Sequence, residues 1–236
     1  FCHANFCLLY LLSSRALWGD AGRSIFILMN KGITLTVTSC IAFMALILGL
    51  FINQYTTPRE LSAEQYKDLG AYFIEPARTI TDFTLIDNEG NDFPFKKFEG
   101  KWNVLFFGFT FCPDICPITM KQLAEVKEKL GDKSKKVRFY LASVDPIRDT
   151  PEKMDIYLNN FDEEFIGLTG AIDKIYTFAT QVNVPFSPVV ESDDPFYTVD
   201  HTGSLVLIDP QGNFAGFFRA PHKTEDILTA LESLLQ

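Results

Sequence analysis

The sequence predicts an α/β sandwich preceded by one membrane-spanning helix, and three observations carry that reading. Ile33 to Ile52 runs for twenty residues without a charge. Beyond it, short apolar runs bounded by turn residues alternate with amphipathic stretches, and the chain closes on a hairpin and a last helix. At 236 residues and 47% hydrophobic content, the chain has room for one sizeable domain besides the span and is not disordered. Its net charge of −9, with Lys and Arg scattered, argues against a nucleic-acid partner because phosphates would be repelled.

Residues 1–28 read as a doubtful N-terminal extension. The chain opens on Phe1, whereas Met29-Asn30-Lys31 would make an ordinary start immediately before the apolar run. The alternative is an organellar targeting segment, since Asn5 to Leu12 is apolar and Arg15 and Arg23 are basic. On either view Cys2, Cys7 and His3 are poor candidates for chemistry. Residues 29–52 read as a signal anchor: Lys31, Arg23 and Arg15 hold the N-terminal side inside, and no clear small-residue cleavage site follows. Cys40 lies within it. Residues 53–77 are polar, contain Pro58 and a short helical stretch from Ser62 to Leu69, and read as a tether.

The domain is expected over 78–236. Thr81 to Ile86 reads as a strand, followed by the turn Asn88-Glu89-Gly90-Asn91. Val104 to Phe109 (VLFFGF) is a continuous apolar run of the kind buried on both faces of a sheet. Pro117 to Leu130 then repeats Leu123, Val126 and Leu130 at helical spacing. Val137 to Val144 is the next strand, Thr150-Pro151 opens a helix to about Asn160, and Asp173 to Gln181 is another. Ser204 to Ile208 and Asn213 to Phe218 flank the turn Asp209-Pro210-Gln211-Gly212 as a hairpin. Thr224 is expected to cap a final helix carrying Ile227, Leu228, Leu231 and Leu235. This order suggests a thioredoxin-like α/β sandwich.

Chemistry concentrates at Phe109-Thr110-Phe111-Cys112-Pro113-Asp114-Ile115-Cys116-Pro117, where the apolar strand turns into a helix. Cys112 is expected just before the first helical turn and Cys116 in it. Unpaired N–H groups and the helix dipole there lower a thiol pKa, and the thiolate attacks disulfides or binds metal. The four-residue spacing suits either a disulfide or a shared ion. His201 directly precedes the strand Ser204 to Ile208, in a loop that faces the cysteine-bearing helix start in a thioredoxin-like fold, and no proline stands at that point. Two thiolates and an imidazole form a soft, low-coordinate set suited to copper, with zinc the competitor. His222, after Pro221, reads as a solvated loop residue. Asp145 and Asp149 read as turn and capping residues, and Asp114 as a complement to the helix dipole.

FTFCPDICP after an apolar strand, SVDPIRDTP at Ser143 to Pro151, and VDHTGSLVLIDPQG at Val199 to Gly212 together resemble the Sco/SenC copper chaperones of cytochrome c oxidase assembly. The resemblance covers essentially all of 78–236. It implies that Cys112, Cys116 and His201 are copper ligands; the four-residue placement also lets Cys112 and Cys116 form a redox-active disulfide, and Asp200 reads equally as a carboxylate that orients the imidazole or as a solvated loop acid. It implies a metallochaperone for Cu(I) or Cu(II), turning over no small substrate, whose partner is the copper-accepting subunit of the oxidase. The expected location is a bacterial inner membrane with the domain in the periplasm, the alternative a mitochondrial inner membrane facing the intermembrane space. Two other functions remain open on the same fold: a thiol–disulfide oxidoreductase, for which the histidine is dispensable, and a thiol peroxidase, for which no activating constellation surrounds Cys112.

Overall fold

The computed structural model describes residues 31–56, 61–187, 194 and 197–236; the N-terminal extension with Cys2, His3 and Cys7 lies outside them. The chain divides into two compact units, 1–58 and 59–236. In the first, α1 (Lys31–Thr56) is continuous, and its apolar stretch Ile33–Gln54 has 22 residues. At 1.5 Å per residue that is about 33 Å, enough to cross a bilayer core. Its described side chains are exposed, as an apolar helix needing another apolar phase would leave them.

The second unit begins earlier than the sequence suggests. Ser62 caps α2 (Ala63–Asp68) in a reciprocal capping box with Gln65, and β1 (Ala71–Arg78) follows. Leu61 N–H and the Tyr66 hydroxyl both donate to Ser233 Oγ, at 3.0 and 2.9 Å. Residues 61–77, expected as tether, are therefore part of the packed unit. The mostly half-buried and exposed positions of β1, without alternation, hide it in the sequence: it is an edge strand, and only its pairing with the last strand reveals it.

The remaining elements are β2 (Thr84–Asp87), β3 (Asp92–Pro94), β4 (Trp102–Gly108), α3 (Ile115–Leu130), β5 (Val137–Ser143), α4 (Pro151–Leu158), β6 (Ile166–Thr169), α5 (Ile172–Gln181), β7 (Leu205–Ile208), β8 (Phe214–Phe218) and α6 (Thr224–Leu234). The strands form one sheet in the order β1-β8-β7-β4-β5-β6-β2-β3, with β4, β5 and β6 parallel and the other neighbours antiparallel. The expected α/β sandwich is present; β1, β3 and β6 are additions. Thr150 caps α4 with Pro151 at its first position, as expected. Thr224 does not cap α6: Lys223 holds that position, and the Thr224 hydroxyl donates to Glu125 instead, at 3.2 Å.

Strand β4 sits at the centre and feels both faces of the sheet. Phe107 meets Phe178 of α5 on one side, with ring centroids 5.4 Å apart, while Phe106 meets His201 on the other at 5.9 Å. Period-two alternation puts consecutive side chains on opposite faces, so both phenylalanines are buried and the run shows no polar positions. β4 and β5 pair in register from Trp102–Val137 to Gly108–Ser143 and end together. The loops that leave them, one carrying the cysteines and one carrying Asp145 to Thr150, lie side by side.

Candidate metal centre

At the end of β4 the chain turns through Phe109 to Asp114 and enters α3 at Ile115, which places Cys112 in the loop and Cys116 in the first helical turn. Asp114 stands at the N-cap position without a side-chain capping bond. Gly108 makes room for Cys116. A Cβ there would lie 2.9 Å from Cys116 Sγ, 2.8 Å from Phe106 and 3.2 Å from Leu141, so no larger residue fits without displacing the thiol. A lone glycine inside an apolar strand is the sequence signal for such a close approach.

The histidine arrives from the far end of the chain. His201 pairs with Phe186 in an isolated antiparallel bridge, and Ser187 N–H donates to the Asp200 carbonyl at 3.0 Å. One imidazole nitrogen, Nδ1, lies 3.0 Å from the Thr202 carbonyl, so it carries the proton. The other, Nε2, is left with its lone pair 3.9 Å from Cys116 Sγ. The carbonyl of Thr202, rather than the carboxylate of Asp200, orients the ring. Phe106 and Phe109 wall it edge to face.

Ligand atoms of Cys112, Cys116 and His201 all lie within 4.8 Å of one another, and both thiols are free. The structure thus brings together the three residues that the sequence singles out. Their electrostatics differ from the expectation for a helix start. Burial pushes the Cys116 thiol far above its ordinary value, with its hydrogen bond to Cys112 acting the same way. Desolvation outweighs the dipole because Cys116 is fully buried. Burial also lowers the His201 pKa, so its imidazole is neutral near pH 7.

Below the cysteines lies a polar layer that the sequence reading takes for turn residues. The buried Asp149 carboxylate accepts from Thr110 N–H at 3.2 Å, from the Thr110 hydroxyl at 2.6 Å and from the Ser143 hydroxyl at 2.6 Å. It therefore pins the cysteine loop two residues before Cys112. Its pKa is raised, because burial outweighs those donors. His222 is not a solvated loop residue: its Nε2 lies 2.6 Å from the Gly203 carbonyl, and its own carbonyl accepts from Gln122 of α3 at 3.1 Å.

Fold and site define a thioredoxin-fold protein in which a CxxxC pair is matched with a half-buried histidine. A family model described as SCO1/SenC matches residues 73–236, and the chain belongs to that family. The SCO2-like protein of Rickettsia prowazekii is 30% identical over 203 residues, covering 81% of this chain and 94% of that one. ScoI of Arabidopsis thaliana, solved with copper bound, is 34% identical with a TM-score of 0.60, covering 65% of this chain and 96% of that one. ScoI of Bradyrhizobium japonicum, also solved with copper bound, is 36% identical with a TM-score of 0.58, covering 64% and 96%.

Proposed function

We propose that this chain is a membrane-tethered copper chaperone. It delivers copper to the CuA-bearing subunit of cytochrome c oxidase during assembly, with transfer of reducing equivalents as a second task open to the same thiol pair. The observation that carries the reading is the convergence of Cys112, Cys116 and His201 ligand atoms within 4.8 Å, a donor set of two sulfurs and one imidazole. Copper-bound relatives of the same fold support it. In this reading α1 is the anchor and the domain works on the far side, in a bacterial periplasm.

The chemistry of loading follows from the residues. Cys116 holds its proton tightly while buried and uncharged, so a cation that arrives must displace that proton and then compensates the thiolate in place of water. His201 needs no deprotonation: its Nε2 lone pair already faces the sulfurs. Loading releases thiol protons, and acid therefore unloads the site. An oxidised Cys112–Cys116 pair cannot ligate through both sulfurs, so copper binding and thiol reduction are coupled.

Copper(II) titration of the reduced full chain in detergent tests the reading. One ion per chain should bind with an intense sulfur-to-copper charge-transfer band, absent in Cys112→Ser and Cys116→Ser. No band, or several tight ions per chain, sinks it. The second reading, a thiol–disulfide oxidoreductase, draws on the same free pair, and His201→Ala separates the two. That variant should lose copper affinity tenfold or more, about 1.4 kcal/mol, while its disulfide still forms and reduces. Oxidase assembly at limiting copper that survives His201→Ala but not Cys112→Ser would favour the oxidoreductase.

A further inference from the structure

Three segments far apart in the chain meet at one guanidinium. Arg148 forms an ion pair through Nε with the buried Asp145 carboxylate and donates from Nη2 to the Tyr197 carbonyl at 2.9 Å. Its plane lies on the Tyr197 ring, 3.6 Å from the centroid, and it also sits 4.9 Å from the Phe111 ring and 5.6 Å from that of Phe109. The Tyr197 hydroxyl closes the ring of contacts by donating to Asp145 at 2.7 Å. Phe111 directly precedes Cys112, and Tyr197 stands four residues before His201. Nothing in the metal chemistry described above uses Arg148, yet it touches both arms of the site.

We propose that Arg148 is a positioning residue for the metal site: it fixes the spacing between the cysteine loop and the histidine loop, so that His201 joins the two sulfurs. Arginine is needed rather than any cation. One planar fork meets the Asp145 carboxylate edge-on and the Tyr197 carbonyl at a second nitrogen, and presents its face to an aromatic ring at the same time. A lysine ammonium can satisfy Asp145 but cannot do all three. Without the fork, Tyr197 reaches Asp145 only through its hydroxyl and loses the hold on its own carbonyl, and the backbone leading to His201 gains freedom while the cysteine loop, held by Asp149, keeps its place.

The proposal rests on the copper reading for its consequence, and the test separates the two. Reduced full chain in detergent is titrated with copper(II) as wild type, Arg148→Lys and Arg148→Met, with electron paramagnetic resonance and a thermal scan recorded. Arg148→Lys should bind copper at least tenfold more weakly and show weakened nitrogen coupling from the imidazole. Its thermal midpoint and its Cys112–Cys116 redox cycle should stay as in the wild type. Unchanged affinity and nitrogen coupling in Arg148→Lys and Arg148→Met overturn the proposal. So does a loss of copper that merely tracks a fallen thermal midpoint with nitrogen coupling intact, which would make Arg148 a general strut. In the metal-free chain, nuclear Overhauser contacts between the His201 ring and the Cys116 side chain should weaken in Arg148→Lys. That measurement decides the positioning role even if wild type takes up no copper, an outcome that would instead sink the copper reading.

Discussion

The cysteine arm of the site is one unbroken stretch, from Gly108 at the end of β4 to Met120 in α3, whereas the histidine arm is assembled from segments around Gln122, Arg148, Phe186, Tyr197 and His222. The first arm is held largely by its own elements, a buried strand and a helix start, with one support from afar, the Asp149 carboxylate at Thr110. Among the described residues the second has no regular element of its own beyond a single bridge, and apart from the Thr202 carbonyl that orients the ring its supports come from other segments. A substitution in the cysteine arm should therefore disturb folding and metal together. In the histidine arm the two effects should come apart.

The strongest way to break the first arm is Gly108→Val. Its methyls would enter space already held by Cys116, Phe106 and Leu141. The cost should lie at the upper end of the about 1–3 kcal/mol typical of overpacking. At about 2–4 °C per kcal/mol for a domain of this size, a thermal scan should show the midpoint several degrees lower, with copper stoichiometry falling alongside. A variant of wild-type stability that still binds one copper would mean that the thiol is free to move.

Next in size is Asp149→Asn. The amide cannot accept from all the donors that meet at Asp149, and a part-buried Thr110 N–H left without a partner costs toward the lower end of about 1–3 kcal/mol. The pH dependence sharpens the test. Because the folded pKa of Asp149 is raised, the stability it contributes is present below its unfolded value and is lost as pH rises through the folded one. Asparagine does not titrate, so the deficit of Asp149→Asn should narrow between about pH 4 and pH 7 in denaturant melts. A deficit that widens with pH would contradict the sign.

The smallest effect belongs to the histidine arm. His222→Ala frees the Gly203 carbonyl, two residues beyond His201, at a cost of about 0.5–1.5 kcal/mol. Copper affinity should fall only a few-fold in the same titration. The folded pKa of His222 is lowered by burial, so below about pH 6.5 the unfolded chain takes up a proton that the folded one refuses. Wild type thus loses stability there and His222→Ala does not. The gap between them should close as pH falls from 7 to 5, and a constant gap would mean that His222 titrates normally.

The same contrast explains what could be read from the sequence. CxxxC at the end of an apolar run is local, and its neighbours in sequence are its neighbours in space; hence α3, β4 and both cysteines are legible. His201 is legible only because its loop precedes a recognisable strand in a familiar order of elements. Its supports were not legible, because Arg148, Tyr197 and His222 act across 49, 52 and 19 residues of sequence. Asp145 and Asp149 look like ordinary turn residues until their burial is known. β1 and β6 escaped for a related reason: an edge strand and a four-residue buried strand carry too little periodicity to be told from loop.

Cys116 and His201 stand 85 residues apart, so an ion held by all three donors ties the middle of the domain to its closing hairpin. An unfolded chain offers two nearby sulfurs but no imidazole at the right distance, and the native state is the one that binds. Each tenfold rise of free ion above the dissociation constant then adds about 1.4 kcal/mol to the stability of the fold. A bound ion makes the domain harder to unfold and harder to digest. The metal-free form is the more easily digested, so protease sensitivity itself becomes a reporter of occupancy.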